Sequence, residues 1–190
     1  MTTRFAGLAA GCTLLIVAGC SQAPGDGAVD AAGTSADTAA TVSPLPSTVA
    51  TALASIATEC SAVGGTPHTE RAVQRADLNG DGHEDYVLFT GWIDCENAAS
   101  IYGDRAKSLA LFTGDGQGDA TETFADWTYD AVIEGDGAAA RLWLTVTGEQ
   151  CGRPPARDFA SEAFCERAIE WNPVTGHFDY APVDTVRMIE

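Results

Sequence analysis

One loop carries the residues with the clearest chemical potential. Asp77, Asn79, Asp81 and Asp85 stand at its positions 1, 3, 5 and 9, and His83 stands at position 7. Alternate positions of such a loop point inward, so this spacing suits a hard cation, which binds six or more oxygens at about 2.3–2.6 Å. The expected ligand at position 7 is the backbone carbonyl of His83, not its imidazole. We therefore expect a structural calcium site that neutralises carboxylates which otherwise repel one another.

The same loop has a metal-free alternative. Its twelfth position is Leu88, where an EF-hand supplies a bidentate glutamate, and Tyr86–Phe89 has the composition of a strand. The loop is therefore not an EF-hand. In the alternative, its Asx side chains accept hydrogen bonds from backbone amides without any metal. The sequence leaves both interpretations open.

The loop resembles the calcium loop of FG-GAP repeats, the blades of integrin-type propellers. Those repeats continue into a strand and then a later strand that ends in a Gly-Asp-Gly turn. Here Leu109–Phe112 and Gly114–Gly116 follow in that order. The likeness covers residues 73–118 and occurs once, whereas a propeller needs roughly four blades or more. The resemblance thus implies one calcium loop set into a different small β-domain.

The N-terminal residues predict export and lipid attachment. Arg4 precedes the apolar stretch Phe5–Ala18, which has export-signal length and falls short of the roughly 20 residues of a spanning helix. The stretch ends in V-A-G-C, which resembles the lipobox of bacterial lipoproteins. That resemblance implies removal of residues 1–19 and a diacylglycerol thioether on Cys20, usually with a further amide-linked chain. Ser21 resembles outer-membrane sorting in cells with two membranes, which implies the periplasmic face of the outer membrane. The alternative is a plain secretory signal.

The cysteine count is consistent with an exported protein. Of six cysteines, Cys12 leaves with the signal and Cys20 is taken by lipid. The remaining even set favours two disulfides. Three pairings are possible, and we favour the one in which each bond links neighbouring elements; zinc is disfavoured because no C-x-x-C occurs. The favoured pairs are Cys60–Cys95 and Cys151–Cys165.

The chain is strongly acidic. It has 10 Lys and Arg against 27 Asp and Glu, a formal charge of −17. This charge argues against nucleic acid and against anionic lipid headgroups as partners. It fits cationic partners, namely metal ions or basic proteins, and it also fits solubility alone. Apart from membrane attachment through lipid, a basic protein is the partner we consider, and the oligomeric state stays open.

Composition divides the mature chain into a tether and one domain. Residues 20–46 are small and polar, so they cannot bury enough apolar surface to order and predict a flexible tether. Residues 47–190 form the single predicted domain. It begins with a helix over Ser47–Val63, capped by Ser47 and stopped by Gly64–Gly65. The apolar stripe of that helix comprises Val49, Leu53, Ile56, Cys60 and Val63.

After the helix the apolar period changes from helical spacing to two. Alternation or short apolar runs predict strands at Tyr86–Phe89, Ser108–Phe112, Arg141–Val146 and Cys165–Trp171. Glycine and asparagine clusters between them predict hairpin turns. The fold class is therefore mainly β: a small antiparallel β-domain of six to eight strands, sandwich or partial barrel, with one N-terminal helix and two disulfides. Core positions are expected for Trp92, Trp127, Trp143 and Trp171.

From residue 47 to 180 the order of helix, loop and cysteines resembles a group of small exported proteobacterial proteins of unassigned function, which implies fold and compartment but no activity. The three histidines, His68, His83 and His177, form no nucleophile elbow or metal-ligand pair. We expect a non-catalytic envelope lipoprotein, a calcium-stabilised binding or structural module. One alternative is an inhibitor of a cationic wall-cleaving enzyme of the lysozyme type. Another is a hydrolase of envelope components.

Overall fold

The computed structural model describes residues 43–189. The predicted signal segment, Cys20 and most of the predicted tether lie outside the described residues. The last tether residues lie inside them and pack on the domain: Pro46 is buried, Leu45 contacts the core beneath the helix, and Arg75 donates a hydrogen bond to the carbonyl of Ser43. The packed part of the chain therefore begins before Ser47.

The single α-helix of the described residues, α1, spans Ser47–Ala62, close to the predicted bounds. Its N-cap is Pro46, so the predicted capping by Ser47 is wrong, and no side chain caps this end. Gly64 takes a positive φ of 83°, which ends the helix as predicted. Val49 and Cys60 are fully buried. Val63 lies beyond the helix and is 57% exposed, so it is not part of the buried stripe.

Eight strands form two antiparallel four-stranded sheets, which we call the helix-side sheet and the outer sheet. The helix-side sheet has the order β2-β3-β5-β6 and the outer sheet the order β10-β9-β8-β7. Strands β1 and β4 form a separate pair, and β11 adds to β9. The bounds are β1 Thr66–His68, β2 Val73–Ala76, β3 Asp85–Phe89, β4 Asp94–Glu96, β5 Lys107–Gly114, β6 Ala120–Thr128, β7 Asp130–Glu134, β8 Arg141–Thr147, β9 Phe164–Asn172, β10 His177–Tyr180 and β11 Arg187–Met188.

The two sheets enclose one apolar core. Val87, Leu109 and Leu111 of the helix-side sheet meet Leu142 and Leu144 of the outer sheet. The opposite face of the helix-side sheet packs on α1 and forms a second cluster around Tyr86, Leu88 and Phe112. Strand β6 runs into β7 at a corner, where Thr128 donates its hydroxyl to the carbonyl of Thr145. The result is two stacked sheets that curve together as a half-barrel.

The predicted fold class is confirmed: the described residues are mainly β and antiparallel, with one helix and two disulfides. Residues 43–189 contain eleven strands instead of six to eight, because β1, β4 and β11 are additional strands of only two or three residues. The favoured cysteine pairing, Cys60–Cys95 and Cys151–Cys165, is also confirmed, with Cα–Cα distances of 5.9 and 5.8 Å. Among the described residues, no helix is long and apolar enough to cross a membrane.

The predicted core positions of the four tryptophans have different outcomes. Trp92 and Trp171 pack against the core as predicted, and Trp171 lies opposite Phe178 with ring centroids 5.0 Å apart. Trp143 is 7% exposed, although it lies on the outer face of its sheet beneath the Arg187 guanidinium. Trp127 is 59% exposed, so its predicted core position is wrong.

Candidate metal-binding loop

The predicted calcium loop joins β2 to β3 and is ordered by its own side chains. Asp77 accepts hydrogen bonds from the amides of Gly80 and Gly82 at 2.8 and 3.0 Å. Asn79 accepts from the amide of Asp81 at 2.9 Å, and Asp81 accepts from the amide of His83 at 2.8 Å. Each acceptor thus closes a short turn over the next residues.

The two glycines explain how the chain can turn so tightly. Gly80 and Gly82 adopt φ of 78° and 86°, a region that glycine enters without steric cost. A Cβ at either position would meet open space, so backbone conformation and not crowding selects glycine there. The loop geometry therefore follows directly from the spacing of Asx and Gly residues in the sequence.

Asp85 is the residue that attaches this loop to the domain. Its side chain is fully buried, and its Oδ2 accepts from the amides of Leu78 and Asn79 at 2.9 and 3.2 Å. Its Oδ1 accepts from the amide of Gly114, at the end of β5, at 3.2 Å. Burial raises the pKa of the Asp85 carboxyl to about 6, against the opposing effect of the three amide donors, and the nearby charge of Asp81 raises it further.

A second turn lies beside the loop because β3 and β5 run antiparallel. This turn joins β5 to β6, and its Asp115 accepts from the amides of Gln117 and Asp119 at 2.7 and 3.0 Å. Those amide bonds lower the pKa of Asp115. The ring of His83 lies against Gly116, where a Cβ would overlap the imidazole. The two turns therefore contact each other through His83 as well as through Asp85.

Together the two turns give one end of the helix-side sheet a strong negative charge. Its exposed or partly exposed carboxylates, which we call the acidic end, are those of Asp77, Asp81, Glu84, Asp115 and Asp119. Only one of them has an ion pair among residues 43–189: Glu84 lies 3.1 Å from Arg75. The sequence indicated the first two aspartates through the loop motif and the second turn through Gly-Asp-Gly, but not that the charges would adjoin.

The side chains of the loop have the oxygen atoms that calcium binds, but only some of these atoms are free and suitably placed to bind it. Asp77, Asn79 and Asp81 offer hard oxygen atoms, and a carboxylate oxygen that accepts one bond retains a further acceptor position. Asp85, by contrast, already uses both oxygens on three amides. Within residues 43–189 no group of three or more Asp, Glu, His or Cys side chains is placed to share one ion. The described arrangement has the bonding of the metal-free alternative, and calcium binding by this loop stays a prediction.

The remaining site predictions have separate outcomes. The His83 imidazole packs on the adjacent turn, and His68 and His177 lie on β1 and β10. His177 contacts the carbonyl of Thr123 at 3.2 Å, while His68 lies 3.7 Å from Glu96. The structure therefore brings none of the three histidines to a common centre. No protein-family model, curated protein or solved structure matches this chain.

Proposed function

We propose that this chain is a non-catalytic envelope lipoprotein whose β-domain binds cations at its acidic end. The ion would be calcium at the Asp77–Asp85 loop, and the macromolecular partner would be a basic protein. The supporting observation is the pair of adjoining turns, which present five carboxylates with one arginine among them. Like charges held close together repel, so a bound cation relieves an electrostatic cost already present in the fold.

Rigidity supports the same proposal. The Asp85 carboxylate joins three amides from two separate turns, and Asp77, Asp81 and Asp115 each hold their own turn by amide bonds. A preorganised set of charges loses less conformational entropy on binding than a mobile set does. Asp77, Asn79 and Asp81 are the side chains that would hold the ion. When bound, calcium would supply positive charge among them.

Thermal unfolding tests the calcium part. With a dissociation constant of about 10⁻⁴–10⁻³ M, as in extracellular modules, 10 mM calcium stabilises a one-site protein by roughly 1.4–2.7 kcal/mol. For a domain of this size the melting temperature should rise by about 3–10 °C relative to chelator. Asp81→Ala should remove the rise. Asp136→Ala removes an equal charge from an exposed turn elsewhere and should preserve it.

The calcium part fails if wild type shows no rise in melting temperature. It also fails if Asp81→Ala and Asp136→Ala respond alike, because the effect would then be a general response to charge. Magnesium at the same concentration serves as a control for ionic strength. It should stabilise the protein less, since it demands near-ideal octahedral geometry at shorter distances.

A binding assay tests the partner part. Lysozyme serves as a basic probe in a pull-down with the purified chain, and crosslinked envelopes supply natural candidates. Binding through the acidic end should weaken in Asp115→Asn/Asp119→Asn and be lost above about 0.3 M salt, where exposed charges are screened over a few ångströms. Capture that persists in high salt, or in the double variant, would contradict this route.

The narrower alternative is an inhibitor of a cationic wall-cleaving enzyme. Charge complementarity at the acidic end favours it over the hydrolase alternative. If the chain is an inhibitor, its addition should lower lysozyme activity, and addition of the double variant should not. A chain that binds lysozyme without lowering its activity only adheres to it. A screen of the chain on esters and muropeptides tests the hydrolase alternative directly.

A further inference from the structure

The loop between β8 and β9 is fixed at both of its ends. At its start, the short 3-10 helix Gly148–Cys151 is bonded to β9 by the disulfide to Cys165. Arg167 crosses beneath it and donates to the carbonyls of Gln150 and Ala181 at 3.1 and 2.7 Å. This end of the loop is therefore an anchored surface, although it contains no long regular element.

Aromatic packing holds the other end. Phe159 lies against Tyr129 and Phe164, with ring centroids 6.4 and 5.9 Å apart, and the guanidinium of Arg105 stacks on its outer side at 4.0 Å. Between the two anchored ends stand consecutive prolines, Pro154 and Pro155, which restrict the backbone further. The side chains in between thus project from a constrained backbone.

A cavity of about 450 Å³ opens on this loop. Its apolar wall is formed by prolines and alanines, and its charged lining consists of Arg153 and Arg157 alone. Both arginines are exposed. The volume falls within the range of roughly 300–1,000 Å³ found for small-molecule sites.

Two of the three carboxylates of the same loop are hydrogen-bonded outside the cavity, and the third, Glu149, is exposed and does not line it. Asp158 accepts from the amide of Ser161 at 3.0 Å, and Glu162 accepts from the hydroxyl of Tyr129 at 3.3 Å. No acidic side chain lines the cavity. In the part of the chain that the structure describes, Arg153 and Arg157 make no ion pair, whereas three other arginines do: Arg75, Arg141 and Arg187. Two guanidiniums thus face a cavity without a counter-ion in a protein of charge −17.

We propose that this cavity binds a small amphiphilic anion. A carboxylate or phosphate group would lie between the guanidiniums of Arg153 and Arg157, whose planar donor arrays match such groups. The apolar part of the ligand would lie on Pro154 and Pro155. The site is separate from the acidic end in residues, charge and ligand class, so it stands independently of the proposed function.

Amide NMR of the full chain in detergent micelles tests the site. The probes are benzoate and phenyl phosphate, with neutral benzamide as the shape-matched control. Both anions should shift the amide signals of residues 148–163 in a saturable way. Benzamide should bind at least about tenfold more weakly, because it lacks the charge that the guanidiniums recognise. Inorganic phosphate should bind more weakly than phenyl phosphate, because it lacks a group to contact the prolines.

Three variants decide which residues carry the binding. Arg153→Ala and Arg157→Ala should each weaken benzoate binding about five- to tenfold, the size expected when an exposed charged hydrogen bond is lost. Arg71→Ala is the matched control, because it removes an exposed guanidinium that lines a different groove. It should leave the affinity unchanged.

The proposal is overturned if neither anion gives a saturable shift in residues 148–163. It is equally overturned if benzamide binds as tightly as benzoate, or if Arg71→Ala weakens binding as much as Arg153→Ala does. Equal affinity for phenyl phosphate and inorganic phosphate would refute the apolar contact. Arg153→Lys guards against misfolding of the alanine variant: it keeps the charge, loses the planar donor array and should give an intermediate affinity.

Discussion

Deprotonation of the buried Asp85 should make the stability of this domain fall as the pH rises from about 4 to 7. The perturbation is Asp85→Asn, which keeps the size of the side chain and removes its titration. The native carboxyl is fully buried, and burial raises its pKa from 3.8 to about 6. The unfolded chain exposes the same carboxyl to water at its ordinary pKa.

The sign and size follow from this pKa difference. Between about pH 4 and 6 the native state retains a proton that the unfolded state has lost, so raising the pH favours unfolding. The stabilisation is complete below the unfolded pKa and is lost as the pH passes through the native one. A difference of about two pKa units corresponds to roughly 3 kcal/mol at 1.36 kcal/mol per unit. This is a large share of the 5–15 kcal/mol that roughly describes whole domains.

Urea denaturation at pH 4, 5, 6 and 7, in the presence of chelator, measures the effect. Other carboxylates titrate in both proteins, so the difference between wild type and Asp85→Asn isolates Asp85. The variant also replaces one acceptor oxygen by an amide nitrogen, which adds a cost that is constant with pH. Because the unfolded carboxyl is already partly ionised at pH 4, the wild-type advantage should shrink by about 2.4 kcal/mol from pH 4 to 7. A constant difference would show that the three amide donors balance the effect of burial on the pKa, and one that grows with pH would show that they outweigh it.

Two further pairs of substitutions test the packing around the site and in the two sheets. Gly114→Ala should lower the free energy of unfolding in urea by about 1–3 kcal/mol, because its Cβ would overlap the carbonyl of Glu84. A Cβ at Gly118 would meet open space, so Gly118→Ala should cost only about 1 kcal/mol, which comes from the positive φ of that residue. Trp127→Ala should change the free energy of unfolding by less than about 0.5 kcal/mol and remove most iodide-quenchable fluorescence, whereas Trp143→Ala should cost about 3 kcal/mol or more. Equal costs within either pair would contradict the packing described.

The turns of the acidic end could be predicted from sequence because their information is local. Asp77, Gly80 and Gly82 lie within six residues, and the amide bonds between them depend only on that spacing. The cysteine pairing was also accessible, since each bond joins cysteines that follow one another along the chain, although three strands separate α1 from β4. What the sequence left open was whether the carboxylates of the loop serve backbone amides or a metal, because both uses need the same residues.

The burial of Asp85 could not be predicted, because it depends on Gly114, 29 residues away. In the loop motif Asp85 is one ligand among several; in the fold it begins a strand covered on both faces. The exposure of Trp127 has a similar cause. The pairing of β6 with β5 shifts by one residue between Leu111 and Phe112. Helix α1 contacts β6 on one side of this shift, where it bonds to Ala120. Trp127 lies on the other side, opposite Ser108. Single-residue shifts of this kind reverse which face a side chain occupies.

The amide bonds of the loop also set how strongly calcium can act on the fold. A metal site whose ligands are disordered without the ion makes folding depend on metal, as in zinc fingers. Here the amides of Gly80, Gly82 and His83 are already bonded to side chains of the loop, and Asp85 fixes it to β5. Chelator should therefore lower the melting temperature by the few degrees given above and leave the circular dichroism spectrum at 20 °C unchanged. Loss of β-structure on chelation would show that the loop bonds do not persist without the ion.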